Sequence, residues 1–383
     1  MRIAYFAHFA GGTDASSATD ADLLGALRAR GVDVVILSPY RRPTGWPGGS
    51  VAVGRLPRLL LAVPGYLRML VRGLRAAADP DARIVSQYHV FHAATLVAFL
   101  VARMRGRPLV VRAHNLLPLS YRSRVEAGVN RALFTLYRRI LRHRTTWLLV
   151  SGADWKRRAE GMGLDPSRVH VLRDNVTPVP EASADELRSL RKALGIGDVR
   201  TVLKAGSFTR DGTAVFTDAL RRIGRADAIG IVVGDSEWGG AFRREAGASG
   251  VADRLLVLGP RSNAEVRRLM ALADVCVGLL TDHPMARGSV PRSTLEAMAA
   301  GRPVVACRGV IDPDLVEDGR NCLLVPPGDR AGLAAAIARI LDDPPLAARL
   351  GAEARRTIAE RFRSDVIAAE LEALLSQVPE REP

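Results

Sequence analysis

The feature that most constrains this chain is a rhythm that runs through it twice. Short β-rich runs alternate with segments of helical period: Arg2–Phe9, a polar loop, a helix ending near Gly31, Val32–Ser38, then Ile84–Ser86, Leu109–Ala113 and Trp147–Val150. Strands joined by crossover helices pair in parallel, so this half is expected to be a parallel sheet covered by helices. The rhythm breaks at Val176-Thr177-Pro178-Val179-Pro180 and restarts, with strands expected at Thr201–Ala205, Ile229–Gly234, Leu255–Leu258, Val275–Leu279 and Pro303–Ala306. Pro178 and Pro180 read as an interdomain linker. From Asp329 to about Leu375 the pattern is helical, with interruptions expected at Gly332, Pro344 and Pro345. No repeat occurs within a domain. Two open α/β domains in tandem place a ligand in the cleft between them, at the carboxyl ends of the strands.

Composition narrows the class. With 48% hydrophobic and 25% charged residues in 383, the chain is globular, neither disordered nor collagen-like. The apolar run Ala93 to Ala102 is followed by Arg103 and Arg105 and is well short of the ~20 residues a bilayer crossing needs, so it reads as a buried helix. The N-terminus lacks the small-residue cleavage site of a signal peptide and reads as a first strand. Cys276, Cys307 and Cys322 are odd in number and have no Cys-x-x-Cys spacing, so neither a disulfide framework nor a zinc site is implied. A cytoplasmic location fits.

The net charge of +15 is almost all arginine, since Lys156, Lys192 and Lys204 are the only lysines. Such a skew, with abundant Ala, Gly and Pro, follows high-GC coding. Coding bias does not explain the asymmetry, however: residues 1–180 hold 27 Lys/Arg against 11 Asp/Glu, whereas residues 181–383 hold 28 against 29. The excess gathers in Arg55 to Arg75 and Arg122 to Arg144. Each is either an amphipathic helix lying on an anionic membrane or an ordinary arginine-rich helix with one face on the sheet. A basic half suggests an anionic partner, either a phosphorylated acceptor or a lipid surface. Nucleic acid is not expected, because no recognised module or aromatic stacking platform accompanies the charge.

Two segments carry candidate chemistry. Gly11-Gly12 follows the first strand and precedes a helix whose start is marked by Thr19 or Asp20; glycine there lets backbone amides approach a phosphate. The dinucleotide fingerprint Gly-x-Gly-x-x-Gly is absent. The second segment runs from Gly288 through Ser289, Val290, Pro291 and Glu296 to Gly301. Pro291 suits the first position of a helix, Ser289 its cap and Gly301 its end. Glu296, little more than one turn in, can offset the helix dipole or accept hydrogen bonds from a diol.

The run Pro291 to Val305, continued by Leu315 to Asp329, closely resembles the C-terminal signature of retaining glycosyltransferases of family 4. Other stretches fall in that family's order: Gly11-Gly12, Arg112-Ala113-His114-Asn115, Arg173-Asp174-Asn175-Val176 and Gly234-Asp235. The resemblance implies a GT-B fold of two Rossmann-like α/β/α domains facing each other across a deep cleft. The acceptor domain would span residues 1–178, the nucleotide-sugar domain 181–360, and a C-terminal helix at 361–378 would pack back toward the first domain. It also implies retention of anomeric configuration, with a nucleotide-sugar as substrate and neither cofactor nor metal.

Position by position, Glu296 is similar to the second acid of the family's Glu-x7-Glu motif, which binds the ribose hydroxyls; the first acid's place is taken by Gly288. Its work would fall to Asp282, Arg287 or amides near Ser289. The family's phosphate-binding Arg and Lys correspond to Ser207 and Asp211 in the segment Gly206 to Gly212, so Arg210 or Lys204 would supply the cation. The resemblance makes His114 and Arg210 catalytic candidates. Gly11, Gly12, Lys204, Gly206, Ser207, Arg210, Gly288, Ser289, Val290 and Glu296 would bind the donor, and His8 and Asn115 the acceptor. The acceptor would be phosphorylated, lipid-linked or a small molecule. The departures at Gly288 and Ser207 leave two alternatives: a nucleotide-sugar-binding protein without turnover, or a GT-B-fold epimerase or cyclitol-coupling enzyme.

The remaining histidines and acids read as structural. His89 and His92 lack the further ligands a metal pair needs, and His143 and His170 read as surface residues. The Asp-x-Asp pairs Asp20/Asp22, Asp79/Asp81 and Asp312/Asp314 read as turns or helix caps.

Overall fold

The computed structural model describes residues 1–7, 15–39, 56–87, 93–114, 116, 124–178, 181–206, 210–234, 239–282, 288, 291–313 and 315–381. They divide into two compact units, Met1–Asn175 with Ser364–Pro383, and Val176–Arg363.

Unit 1 is built on strands β1 (Arg2–Phe6), β2 (Asp33–Leu37), β3 (Ala82–Gln87), β4 (Leu109–Ala113), β5 (Thr146–Val150) and β6 (Val169–Val171), all parallel, in the order β2-β1-β3-β4-β5-β6. Both faces are buried, and the period of two decides which residue goes where. Ala4 and Phe6 of β1 join a core under helices α2 (Leu56–Ala76), α3 (Ala94–Arg105), α4 (Arg124–Leu141) and α5 (Ala153–Gly161). Ile3 and Tyr5 face the opposite core, closed by helix α1 (Ala15–Ala29) and by the chain's last helix, α13 (Ser364–Gln377). Through α13 the end of the chain returns to unit 1.

Unit 2 carries strands β7 (Arg200–Gly206), β8 (Ala228–Gly234), β9 (Leu255–Gly259), β10 (Val275–Val277), β11 (Val304–Cys307) and β12 (Leu323–Val325), again all parallel. Their order, β12-β11-β10-β7-β8-β9, is the doubly wound arrangement in which chain direction across the sheet reverses between β7 and β10. Helices α6 (Ala184–Leu194), α9 (Asn263–Leu272), α10 (Arg292–Ala299) and α12 (Pro344–Arg361) lie on one core, and α7 (Arg210–Ile223), α8 (Gly239–Ala248) and α11 (Arg330–Asp342) on the other.

Several local expectations shift. Helix α1 begins at Ala15, so Thr19 and Asp20 sit inside it, both buried; Asp20 faces a buried arginine and is not free to cap. Helix α10 has Pro291 at its N-cap with no side-chain cap bond, one position earlier than the expected first helical turn. Gly332 does not interrupt α11, because its amide donates to the Asp329 carboxylate that caps the helix. Pro344 opens α12, where its missing N–H costs nothing. The three cysteines are buried and unpaired. Among the described residues no helix is long and apolar enough to cross a membrane.

Candidate active site

In each unit the sheet's switch point marks where a ligand meets strand ends. In unit 2 that point lies beyond β7 and β10, and helix α10 packs against the end of β7. Gly206 ends β7 at φ +104°, and a side chain there would lie 3.3 Å from Ser293 Oγ in the first turn of α10. Glu296, one turn further along, is buried. Its Oε1 accepts from Arg292 Nε at 2.9 Å and from Arg267 Nε at 3.4 Å. Arg292 is itself buried, four residues earlier on the same helix, while Arg267 reaches over from α9. Two guanidiniums on one oxygen fix its orientation. Among the described residues Oε2 accepts nothing.

Lys204 lies on the β7 face shared with Val202, which belongs to the core under α7 and α11. Burial pulls its ammonium down to about 8, and the neighbouring Cys307 thiol opposes that only weakly. An anionic ligand near it would raise that value again. Arg210 is the first residue of α7; its side chain lies outside the description, as do Ser207, Arg287, Ser289, Val290 and Asp235. Gly288 is buried at φ +69°, and its amide donates to the Val310 carbonyl at 2.8 Å. A residue with a side chain is strained at that φ, so position 288 favours glycine in backbone as well as lacking the acid's side chain. Asp282 is exposed.

In unit 1 the structure assembles residues that stand far apart in the chain. Arg112, at the end of β4 and almost wholly buried, donates to Asp20 Oδ1 at 2.5 Å and to Asn175 Oδ1 at 3.2 Å, with Asp174 Oδ1 at 3.6 Å. His114 Nδ1 is 2.7 Å from Asp174 Oδ1. Its Nε2 is buried, 3.6 Å from Asp20 Oδ1, with no hydrogen bond among the described residues. Asn175 closes the group, donating to the Thr19 carbonyl at 3.0 Å and to Ser364 Oγ of α13 at 3.1 Å. Asp20 Oδ2 and the Tyr5 hydroxyl are also buried without partners among the described residues.

Charge balance explains the state of His114. Arg112 alone cannot neutralise Asp20 and Asp174 together. Burial works against a charged ring, but Asp174, by charge and hydrogen bond, and Asp20 outweigh it and hold the imidazole at about 9. The ring is therefore a cation at neutral pH, a donor and not a base. The folded value lies above the ordinary 6.5, so the stabilisation is complete below 6.5 and is lost as pH rises through 9. Urea unfolding of the wild type should show stability falling across that window, with a flatter profile in His114→Gln. Equal slopes in the two proteins would assign the decline to other groups.

Sequence reasoning named His114 and placed Arg112, Asp174 and Asn175 within matching stretches, but it set Asp20 aside as a cap. Its one available signal was an acid three residues before the Leu23-Leu24-Leu27 stripe of α1, on the face that turns inward. His8, Gly11, Gly12, His89, His92 and Asn115 lie outside the described residues. His143 packs edge-on against Phe99 and His170 stacks on Trp147, so both are half-buried ring contacts and not bare surface residues. Asp79 is a turn acid, accepting from the Asp81 amide, whereas Asp312 is buried. Among the described residues no group of three or more His, Cys, Asp or Glu side chains is placed to hold a metal.

Comparison with known proteins decides the family. Residues 21–174 match the model of Glycosyltransferase Family 4 and residues 199–343 that of Glycosyl transferases group 1, together most of the chain. The chain belongs to glycosyltransferase family 4. It is a hexosyltransferase-type glycosyltransferase working from a nucleotide sugar, on a GT-B fold of two Rossmann-like units. It is 27% identical over 317 residues to the α-D-kanosaminyltransferase of Streptomyces kanamyceticus, covering 79% of each chain. It is 28% identical over 288 residues to the MMP α-(1→4)-mannosyltransferase of Mycolicibacterium hassiacum, covering 72% of this chain and 66% of that one. Anabaena HepE, solved in complex with UDP and glucose, superposes with a TM-score of 0.73 at 20% identity over 98% of this chain and 100% of that one.

Proposed function

We propose that this glycosyltransferase transfers a hexosyl group from a nucleoside diphosphate sugar with retention of configuration, holding the donor on unit 2 and the acceptor on unit 1. The observation that carries the donor assignment is Glu296, a buried carboxylate fixed through one oxygen by Arg292 and Arg267, with the other oxygen left to accept from a ribose diol. Retention is supported by the two relatives described above, both named for α-linked transfer. In that reading the acceptor attacks from the face the diphosphate leaves, and the departing diphosphate takes up the acceptor proton. Stabilising the leaving group then dominates the protein's contribution. Lys204, Arg210 and amides near Gly206, Ser207, Ser289 and Val290 supply it. His114, charged at neutral pH, donates to a sugar or acceptor oxygen and takes no proton. Gly11 and Gly12 border the donor, and His8 and Asn115 the acceptor.

A thermal-shift panel of nucleotide sugars tests the donor, since a ligand at 100 times its dissociation constant stabilises by about 2.7 kcal/mol; no shift with any of them would refute the assignment. NMR of the product's anomeric proton tests retention. The Gly288 backbone supports a second reading, a nucleotide-sugar binder without turnover, which predicts donor binding but no slow donor hydrolysis.

The reaction proceeds without metal in this proposal, because side-chain and helix-end charge meets the phosphates. EDTA should leave activity nearly intact, and Arg210→Ala should lower kcat more than it raises the donor's KM. Activity lost on chelation and restored by Mg²⁺ would overturn this. The acceptor is phosphorylated, lipid-linked or a small molecule, and the enzyme acts in the cytoplasm, touching an anionic membrane peripherally and binding no nucleic acid.

A further inference from the structure

The arginine excess of unit 1 is one-sided. On one face of its sheet helices α2, α3 and α4 carry ten arginines against the single acid Glu126, and α5 beside them carries Lys156, Arg157 and Arg158 against Asp154 and Glu160. Helices α1 and α13 cover the other face and carry five acids against Arg28 alone. Coding bias would load both faces alike. Both readings of the basic segments also meet here: Met69 of α2 and Tyr137 of α4 are buried in the core, while the outer sides of the same helices are exposed.

Those outer sides are not simply polar. Of the eight large apolar side chains exposed among the described residues, six lie on these three helices: Val63, Leu67 and Val71 on α2, Leu100 and Met104 on α3, and Leu136 on α4. Val63, Leu67 and Val71 are spaced four apart and so form one stripe along α2. Helix α3 packs beside α2, setting Leu100 and Met104 in the same layer. Leu67 is 58% exposed and Met104 65%, and Arg68, Arg72, Arg75, Arg103 and Arg105 stand exposed among them. A nucleic acid offers aliphatic side chains no favourable environment. A bilayer takes them among its acyl chains while its headgroups meet the guanidiniums.

We propose that the outer face of α2 and α3 is the surface by which this enzyme docks on an anionic lipid bilayer. The proposal rests on the peripheral membrane contact inferred above and gives it an address. Vesicles of equal parts phosphatidylglycerol and phosphatidylcholine should sediment the protein at low salt, and pure phosphatidylcholine should not. Arg68→Glu with Arg72→Glu, and separately Leu67→Ser with Met104→Ser, should each weaken binding at least about tenfold, as expected when arginines each worth roughly a fivefold change near such a surface are reversed. Unfolding midpoints should be unchanged.

Failure to bind the mixed vesicles would overturn both the surface and the membrane contact. Binding unaffected by either double variant would overturn this surface and leave membrane contact standing. Gel filtration runs alongside: self-association of the wild type that both variants abolish, without vesicle binding, would assign the face to a second copy of the chain and overturn the proposal.

Discussion

Asp20→Ala is expected to lower the free energy of unfolding by about 3–5 kcal/mol, the cost of removing one partner of a buried ion pair and stranding the other. The partner is Arg112, 2% exposed at its side chain, whose charge cannot leave with a proton and has no route to water. Asn175 and Asp174 hold the guanidinium in place but do not replace a carboxylate at 2.5 Å. The magnitude separates two roles for the same residue, because losing a helix cap costs only about 1 kcal/mol. Asp20→Asn keeps the shape and removes the charge. It should cost less and should also lower the pKa of His114, since one of the two carboxylates facing the ring is gone. Urea denaturation measures the first effect and NMR titration of the ring the second. A loss near 1 kcal/mol with an unmoved His114 would return Asp20 to the role of a terminal residue.

Asp20 also shows where sequence reading stops. The parallel sheets were legible because strand runs and helical periods alternate, and five of the six strands in each unit follow from that rhythm. The two without a signal, β6 and β12, are three-residue strands at the edges of their sheets. Residues within one motif, such as Gly206 with Arg210 or Gly288 with Glu296, lie in one short segment each, so the family resemblance alone sets them side by side. The unit 1 cluster was not, because its members come from α1, β4 and the segment leading to Val176, and only the fold brings residue 20 to residues 112 and 174. An Asp followed two residues later by another Asp reads locally as a cap or turn. Its true constraint is a guanidinium 92 positions away.

Glu296→Gln is expected to weaken nucleotide-sugar binding about tenfold or more, the lower end of what a charge-assisted hydrogen bond contributes. Alanine at this position, the simpler substitution to interpret from sequence, confounds two effects in the folded protein. Arg292 is buried against the carboxylate, so truncation leaves a guanidinium without its counter-charge and destabilises α10 along with the site. Glutamine retains the volume, and its amide oxygen can still accept from Arg292 and Arg267 in place of Oε1. What changes is the other atom, where an acceptor for a ribose hydroxyl becomes an N–H₂ donor. Calorimetry with the nucleotide sugar, paired with an unfolding curve, therefore reads the ligand bond almost alone. Arg267→Met supplies the complementary test. It removes the weaker of the two clamps from a partly exposed residue, and should loosen the orientation of Glu296 with a smaller loss of affinity than Glu296→Gln and little loss of stability. Donor affinity unchanged in Glu296→Gln would remove this residue from the donor site, and would leave the Arg292–Glu296–Arg267 group as an internal brace of unit 2.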